Sequence, residues 1–484
     1  MKINTSMAPA RGWVKKALCA GVIMGLSMTA SMSFAGQKPK ADNGNIVTPF
    51  ARIAKIKVVK GEHGKIDYKA TYEKAGAVAL AIATYVDGVN DFTESDFPAD
   101  WIVGGMEGGT ALEDAILRIP SPEPIDPENL DLGTKKANVI DLCNKYYASQ
   151  ALGVAPIAGT DKKVVNGYSH ATALPCELST WNDDKHIYVD MLDPNAIFSI
   201  FFTDVLVSED MQDPDFSEAI TALPVAVKSE IKTVVYNALD AAGIKYNTHD
   251  KMLGPKYKSV EDIFEVVAAS PNDSPYKHVA YTKTDGGVFI EDEAEVVAKA
   301  IIEAMSIHGE PGAGTHPWDV EEILSMDSKW RSARHEPLGL PGKPEKNWVI
   351  EACSPTYAKM AMGTGMHHAT ALPCEISVQR VDRDDPADGA TESLVISYLD
   401  PYFMFGAMFS DMTDAEKAAL GDVPGYIIND LQYIVKHALD TSGTELNEGV
   451  QFWYNMLPDE KHGKKHGHDD DDHDEDDDDD GDDD

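Results

Sequence analysis

The sequence predicts a protein of the α+β or α/β class that is built from two homologous domains. The octapeptide His-Ala-Thr-Ala-Leu-Pro-Cys-Glu occurs at residues 170–177 and again at residues 368–375. Around both copies, stretches with strand-like alternation are followed by stretches with helical spacing, and no glycine-rich phosphate-binding turn separates them. A repeat of this length indicates two copies of a whole domain, not a solenoid of short units.

The ends of the chain predict an exported protein. Residues 1–35 resemble a secretory signal peptide, because lysines precede an apolar stretch of about 14 residues and Ser33-Phe34-Ala35 fits a small-x-small cleavage site. This stretch is too short for a lasting transmembrane helix. We therefore expect a periplasmic or secreted protein without a transmembrane anchor after cleavage. The remaining segments are a leader (36–50), a first repeat domain (51–250), a second repeat domain (251–445) and a disordered tail (446–484).

The first repeat is predicted to mix helices and strands. Pro194 can start a helix, and Asp193 before it is predicted to cap that helix. The predicted elements are helices at 70–85, 111–119, 135–152, 195–206 and 229–242, a proline-rich loop at 120–127 and a strand at 186–192. The helix at 135–152 would carry Cys143.

The second repeat is predicted to follow the same plan. Asp400 and Pro401 repeat the capping signal, and residues 382–392 form a polar insertion. The predicted elements are helices at 291–305, 401–411 and 425–439 and a strand at 393–399.

The charge excludes some classes of partner. The chain of 484 residues has a formal net charge of −39, and the body stays acidic without the Asp-rich end. Binding to nucleic acid or to anionic membranes needs clustered Lys and Arg, so neither partner is expected. The charge favours solubility and the attraction of cations.

Four cysteines remain after signal removal, and they occupy matching positions in the two repeats: Cys143, Cys176, Cys353 and Cys374. Disulfides survive in an exported compartment, so one interpretation is the pairing Cys143–Cys176 and Cys353–Cys374. A second interpretation is metal or cofactor ligation, and a third is a pair of redox-active thiols. The sequence leaves these three open.

The metal interpretation needs further ligands. Each repeat offers a His and a Glu from the octapeptide, whereas His367 is a weaker candidate because its counterpart is Ser169. A six-residue extended segment spans roughly 20 Å, so the octapeptide would have to bend to bring its His and Cys to one ion. The predicted ligands are Cys143, His170, Cys176 and Glu177 in the first repeat, and Cys353, His368, Cys374 and Glu375 in the second. These types suit zinc, copper or iron.

The tail offers a second, weaker kind of metal site. Four histidines lie among dense carboxylates, which can gather divalent cations with poor selectivity or act only as a solvated anionic segment. These histidines are His462, His466, His468 and His473.

One set of motifs recurs in both repeats: a Cys followed four residues later by a Tyr, then Leu-Pro-Cys-Glu, then Leu-Asp-Pro with an apolar helix. The residues are Cys143, 174–177, 192–194 and Phe198, and again Cys353, 372–375, 399–401 and Phe405. These motifs resemble the domain of unknown function 302 family. The resemblance implies a small domain with a mixed or antiparallel sheet packed with helices. It also implies that the tandem copies form a pseudo-dimer.

These observations predict an exported binding protein that holds a transition metal or metal cofactor at duplicated Cys/His sites. The alternatives are a thiol redox or electron-transfer protein in sulfur metabolism, and a disulfide-stapled envelope protein. No catalytic triad, Walker loop, dinucleotide fingerprint or H-E-x-x-H motif is present, so we expect binding, not catalysis. Candidate partners are metal ions, a further copy of the chain and a redox partner protein.

Overall fold

A computed structural model of the chain describes residues 47–90, 101–103, 116–124, 134–153, 155–164, 167–173, 176–259, 262–263, 265–266, 275–282, 293–307, 318–325, 348–372, 374–382 and 392–442. All of these residues belong to one compact unit. The predicted signal peptide and the predicted tail, with its four histidines, lie outside the described residues.

The first repeat contributes an antiparallel sheet of seven described strands in the order β2-β4-β5-β6-β1-β7, with β3 also paired to β4. The strands are β1 (Phe50–Lys57), β2 (Trp101–Val103), β3 (Ile116–Pro124), β4 (Thr134–Asn144), β5 (Cys176–Asn182), β6 (His186–Leu192) and β7 (Tyr246–Leu253). The helices are α1 (Tyr68–Asn90), α2 (Lys145–Ala151), α3 (Pro194–Phe201), α4 (Thr203–Val207) and α5 (Pro214–Ala241).

Helices α1 and α5 cover this sheet because each has an apolar stripe at helical spacing. Val78 and Ile82 of α1 and Ile231 of α5 are at most 1% exposed and pack with Ile53 and Ile56 of β1. The stripes bury against the sheet face, which is the usual solution for an α+β domain.

The second repeat forms a five-stranded antiparallel sheet from its described strands, in the order β8-β12-β11-β10-β9. The strands are β8 (Tyr276–Thr282), β9 (Asp319–Ser325), β10 (Trp348–Cys353), β11 (Cys374–Asp382) and β12 (Glu392–Leu399). The helices are α6 (Glu293–Ile307), α7 (Pro355–Gly363), α8 (Pro401–Ala407), α9 (Asp414–Leu420) and α10 (Val423–Ser442). The series β4-β5-β6-β1 corresponds to β10-β11-β12-β8. The predicted α+β class with antiparallel sheets is confirmed.

The prediction of a helix at 135–152 is wrong for its first part. Residues up to Asn144 form β4, and Cys143 therefore lies on a strand. The helix α2 begins only after Asn144, whose Oδ1 accepts hydrogen bonds from the amides of Tyr146 and Tyr147. Pairing with β3 and β5 on both sides outweighs the local helix signal. The prediction of a helix at 111–119 is also wrong for residues 116–119, which lie in β3 because of strand pairing.

The prediction of two capped helices after Leu-Asp-Pro is confirmed. The carboxylate of Asp193 accepts from the amide of Asn195, and that of Asp400 accepts from the amide of Tyr402. Each proline follows at the first helical position, where its missing N–H costs nothing.

The two repeats contact each other reciprocally through the octapeptide. In both copies it forms a 3₁₀ turn that runs into a strand: Gly167–Ala173 before β5 and Met366–Ala371 before β11. The first turn contacts β11 and β12, and the second contacts β5 and β6. Such an exchange is what an isologous interface requires, so it supports the predicted pseudo-dimer, which stays an interpretation.

In the described part of the chain, we find no helix with the length and apolar character needed to cross a bilayer.

Candidate functional site

The octapeptide histidines are buried in the core, and each hydrogen-bonds to a carboxylate that follows the helix after Leu-Asp-Pro. His170 and His368 are both 0% exposed. The Nε2 atom of His170 lies 2.8 Å from Asp204 Oδ1, and that of His368 lies 3.1 Å from Asp411 Oδ1. Each repeat therefore contains an equivalent buried His–Asp hydrogen bond.

The second repeat adds a third polar group at this place. His367 Nε2 lies 3.1 Å from the other oxygen of the same carboxylate, Asp411 Oδ2. One ligand atom from each of His367, His368 and Asp411 falls within 4.8 Å of the others, and within the described ranges this is the one group of His, Cys, Asp and Glu that meets this condition. The side chains of His367 and Asp411 are 16% and 28% exposed, so solvent ions can reach them.

Two features hold the imidazoles in place. Phe409 packs on His368 with ring centroids 4.4 Å apart, and Phe50 from the first repeat packs edge-on against His367 at 5.4 Å. Gly365 makes the room for both rings, because a Cβ at this position would lie 2.8 Å from His367 and 3.1 Å from His368. The site is thus built by both repeats.

The charges at this site suit a cation. Burial lowers the pKa of His368, and its hydrogen bond to Asp411 opposes this shift only in part, so the ring is neutral at neutral pH. Burial disfavours ionisation of Asp411, but the hydrogen bonds from His367 and His368 outweigh it and hold the pKa of this carboxyl below its ordinary value. A neutral imidazole beside an ionised carboxylate is the protonation state in which both groups ligate metals.

The structure does not bring together the predicted Cys/His metal sets. His170 stacks on Phe202 with ring centroids 4.3 Å apart and directs Nε2 to Asp204, and His368 is placed equivalently. The histidine belongs to the 3₁₀ turn and the cysteine begins the following strand. Among the described residues, no three of the predicted ligands offer atoms within 4.8 Å of one another.

The predicted disulfides Cys143–Cys176 and Cys353–Cys374 are not formed in the structure, where all four residues are thiols. Cys176 lies directly opposite Leu142 on the neighbouring strand. Cys374 lies opposite Ala352 in the same way. The two cysteines of each repeat border one small cavity, where they are separate thiols and not a disulfide.

The thiols are also poorly suited to redox chemistry. Burial raises the pKa of Cys176 to about 12 and that of Cys374 to about 12. The thiolate is the reactive form, and reactive cysteines lie in electropositive, partly exposed places that lower the pKa. These two thiols stay protonated at neutral pH.

The predicted ligands Glu177 and Glu375 have a different partner from the one expected: they hydrogen-bond to each other across the repeats. They are 4% and 3% exposed. Burial raises the pKa of Glu375 well above its ordinary value, and nearby Asp141 adds to this shift while the bond to Glu177 opposes it. A shared proton between two buried carboxyl groups accounts for the pair.

The residue that sequence reasoning missed is Asp411, together with its counterpart Asp204. Both lie at the same distance after the Leu-Asp-Pro motif, so the repeat itself carried the signal. Their role does not follow from the sequence, because only the fold brings these aspartates next to the octapeptide histidines.

Comparison with known proteins points to one family. Residues 340–422 match the family model described as "Domain of unknown function DUF302". The chain is similar to the solved structure of an uncharacterized conserved protein DUF302 from Bacillus stearothermophilus, at 15% identity and a TM-score of 0.23, over 34% of this chain and 98% of that chain. No curated protein matches. The resemblance predicted from the repeated motifs is confirmed by the match in the second repeat.

Proposed function

Because the chain carries a DUF302 domain in its second repeat and that family has no assigned activity, we propose a function from the local chemistry: the protein binds a divalent transition-metal ion at His367, His368 and Asp411. The single observation that supports this most directly is the convergence of two imidazole Nε2 atoms on the two oxygens of one carboxylate. The predicted duplicated Cys/His sites are replaced by one site without cysteine.

The distances between the groups fit a metal as well as a hydrogen bond. Two ligand atoms bound to one tetrahedral zinc at about 2.0 Å are about 3.3 Å apart. The Nε2 atoms of His367 and His368 each lie 3.1 Å from an oxygen of Asp411. One ligand atom of each residue lies within 4.8 Å of the others, so an ion at this place would replace the bridging protons.

The ligand types indicate which ions fit. Two imidazoles and one carboxylate bind zinc or iron(II) and leave coordination positions open for water or another ligand. Calcium and magnesium prefer oxygen ligands, so they are disfavoured. The partial exposure of His367 and Asp411 provides the entry path.

Export completes the proposal. A signal peptide at residues 1–35 would place the protein in the periplasm or outside the cell, and the His/Asp-rich tail would concentrate cations near the ordered site. In this arrangement the tail supplies weak capture and the three-residue site supplies selectivity.

Zinc titration of the full-length mature chain by calorimetry tests the ordered site. To remove the contribution of the tail, its four histidines are replaced with asparagine in every variant. We expect one zinc per chain and at least about 100-fold weaker binding after His367→Ser, because a direct ligand contributes more than the outer-shell partners whose loss costs about 10- to 100-fold. His437→Ser serves as the matched control, because His437 stacks on Tyr433 away from the site.

The proposal fails if the chain with the substituted tail binds no zinc, or if His367→Ser and His437→Ser bind it equally well. A second variant, Gly365→Ala, separates ligand loss from ligand misplacement. It keeps all three ligands but pushes a Cβ into both imidazoles, so it should also weaken binding.

A further inference from the structure

Each repeat contains a small apolar cavity at the end of its sheet, and the two cavities have equivalent walls. Their free volumes are about 70 Å³ in the first repeat and about 40 Å³ in the second. The first is bordered by Trp101, Cys143, Tyr147, Cys176 and Phe198, and the second by Trp318, Cys353, Tyr357, Cys374 and Phe405. The same residue types border both cavities at corresponding positions, which is not expected of a random packing defect.

A half-buried carboxylate fixes the aromatic wall of the first cavity. Glu230 accepts hydrogen bonds from the hydroxyl of Tyr147 and, at 3.0 Å, from the indole N–H of Trp101. The second cavity has the same arrangement, in which Asp430 accepts from Tyr357 at 2.9 Å and from Trp318 at 3.2 Å. The phenol and indole protons are therefore used within the wall, and the wall is rigid before any ligand arrives.

Each cavity is also bordered by a polar side chain with an unused hydrogen, and the second cavity is bordered in addition by Glu375, which bonds to Glu177. Asn144 is 3% exposed and borders the first cavity. Its Oδ1 caps α2 by accepting from Tyr146 and Tyr147, which fixes the amide, and its Nδ2 has no hydrogen-bond partner among the described residues. The amide cannot flip without losing both capping bonds.

The counterpart in the second cavity is Ser354, which directly follows Cys353 as Asn144 follows Cys143. Ser354 is 2% exposed, makes no capping hydrogen bond, and its Oγ has no partner among the described residues. A buried donor left unsatisfied is costly, and its appearance at the same place in both repeats calls for a common explanation.

We propose that each cavity binds one small, uncharged, mostly apolar molecule whose oxygen accepts a hydrogen bond from Asn144 in the first repeat and from Ser354 in the second. Short ketones, aldehydes and alcohols have this chemistry. A cavity of about 150 Å³ can hold benzene, so these smaller cavities suit ligands of about five non-hydrogen atoms. Anions are excluded because Glu230 and Asp430 lie behind the walls, Glu375 borders the second cavity, and no cation borders either cavity among the described lining residues.

The test uses 2-butanone as the probe and the full chain with metal removed by EDTA. Each cavity is bordered by one isoleucine, Ile197 in the first and Ile427 in the second, so ¹³C-methyl NMR of isoleucine reports the two cavities separately. We expect saturable shifts of both signals, with affinities on the order of millimolar for so small a ligand. Propanoate, a charged molecule of similar size, should shift neither.

Two variants assign the donor. Ser354→Ala should weaken binding about 10-fold at Ile427 and leave Ile197 unchanged, and Asn144→Asp, which keeps the capping oxygen, should do the reverse. If Asn144→Asp fails to fold, the Ser354→Ala variant still decides, because Ser354 makes no capping bond. The inference is overturned if 2-butanone shifts neither signal, if propanoate acts equally, or if Ser354→Ala leaves the affinity at Ile427 unchanged.

Discussion

In the first repeat, Arg52 and Asp190 form a buried ion pair between β1 and β6, whereas the second repeat has His278 and Ser397 at the matching cross-strand positions. The octapeptide turn shows the opposite difference, since the second repeat has His367 where the first has Ser169. The repeats agree in the buried His–Asp pair and in the Trp–Tyr–carboxylate wall. The groups that both repeats share therefore belong to the fold. Each repeat also has one polar feature that the other lacks, namely the Arg52–Asp190 ion pair in the first and His367 in the second.

The largest expected effect concerns the ion pair of the first repeat. Asp190 is 0% exposed, and it accepts from Arg52 at 2.8 and 3.0 Å and from Trp181 at 2.7 Å. Arg52→Met removes the balancing charge and leaves a buried carboxylate, which should cost about 3–5 kcal/mol of unfolding free energy. Urea unfolding monitored by circular dichroism measures this loss.

The second repeat provides the comparison for that loss. Ser397 bonds to Ser377 at 2.6 Å without any charge, so Ser397→Ala should cost only about 1 kcal/mol. Adding Asp190→Leu to Arg52→Met should recover most of the stability, because no charge then stays buried. Equal losses in Arg52→Met and Ser397→Ala would remove the proposed distinction between an ionic and a neutral repeat.

The next effect in size concerns the octapeptide turns. The first repeat already has His170 and Asp204 with Nε2 and Oδ1 2.8 Å apart. If His367 is what completes the site in the second repeat, Ser169→His should give the first repeat the same three ligand types. Calorimetry on the chain with substituted tail histidines should then show two zinc ions per chain, with the new site gaining about 100-fold in affinity. Ser169→Asn, which adds no imidazole, is the control, and a stoichiometry of one in both variants would contradict the comparison.

The sequence predicts those parts of the fold that depend on local signals. The capped helices after Asp193 and Asp400 and the strands before them follow from short patterns of residues. The strand that carries Cys143 does not, because its state depends on pairing with β3 and β5. Register between distant strands decides which residues lie opposite each other, and it places Cys176 opposite Leu142 and Cys374 opposite Ala352.

The candidate site also combines residues that the sequence predicts with contacts that only the fold creates. The repeat alone predicts His368, and it makes His367 a weaker candidate because the first repeat has Ser169 there. This prediction assumes that function follows duplication, whereas the structure joins the unduplicated His367 to the duplicated pair through Asp411. The meeting of Glu177 with Glu375 was equally inaccessible, because it requires the two repeats to pack.

The smallest expected effect tests the reciprocal packing of the repeats. Tyr276 of the second repeat is 0% exposed and donates a hydrogen bond at 3.2 Å to the carbonyl of Phe201, at the end of α3, whereas the matching Phe50 has no hydroxyl. Terminal helix carbonyls lack a partner within the helix, so Tyr276→Phe should cost about 1 kcal/mol. Burial raises the pKa of Tyr276 well above its ordinary value, so the hydroxyl keeps its proton and the loss should not vary between neutral and mildly alkaline pH.

The control is Tyr402→Phe, which removes a hydrogen bond from a tyrosine that is 40% exposed and should hardly change the free energy of unfolding. If both variants unfold at the same urea concentration as the parent chain, the hydrogen bond of Tyr276 across the repeats adds nothing to stability.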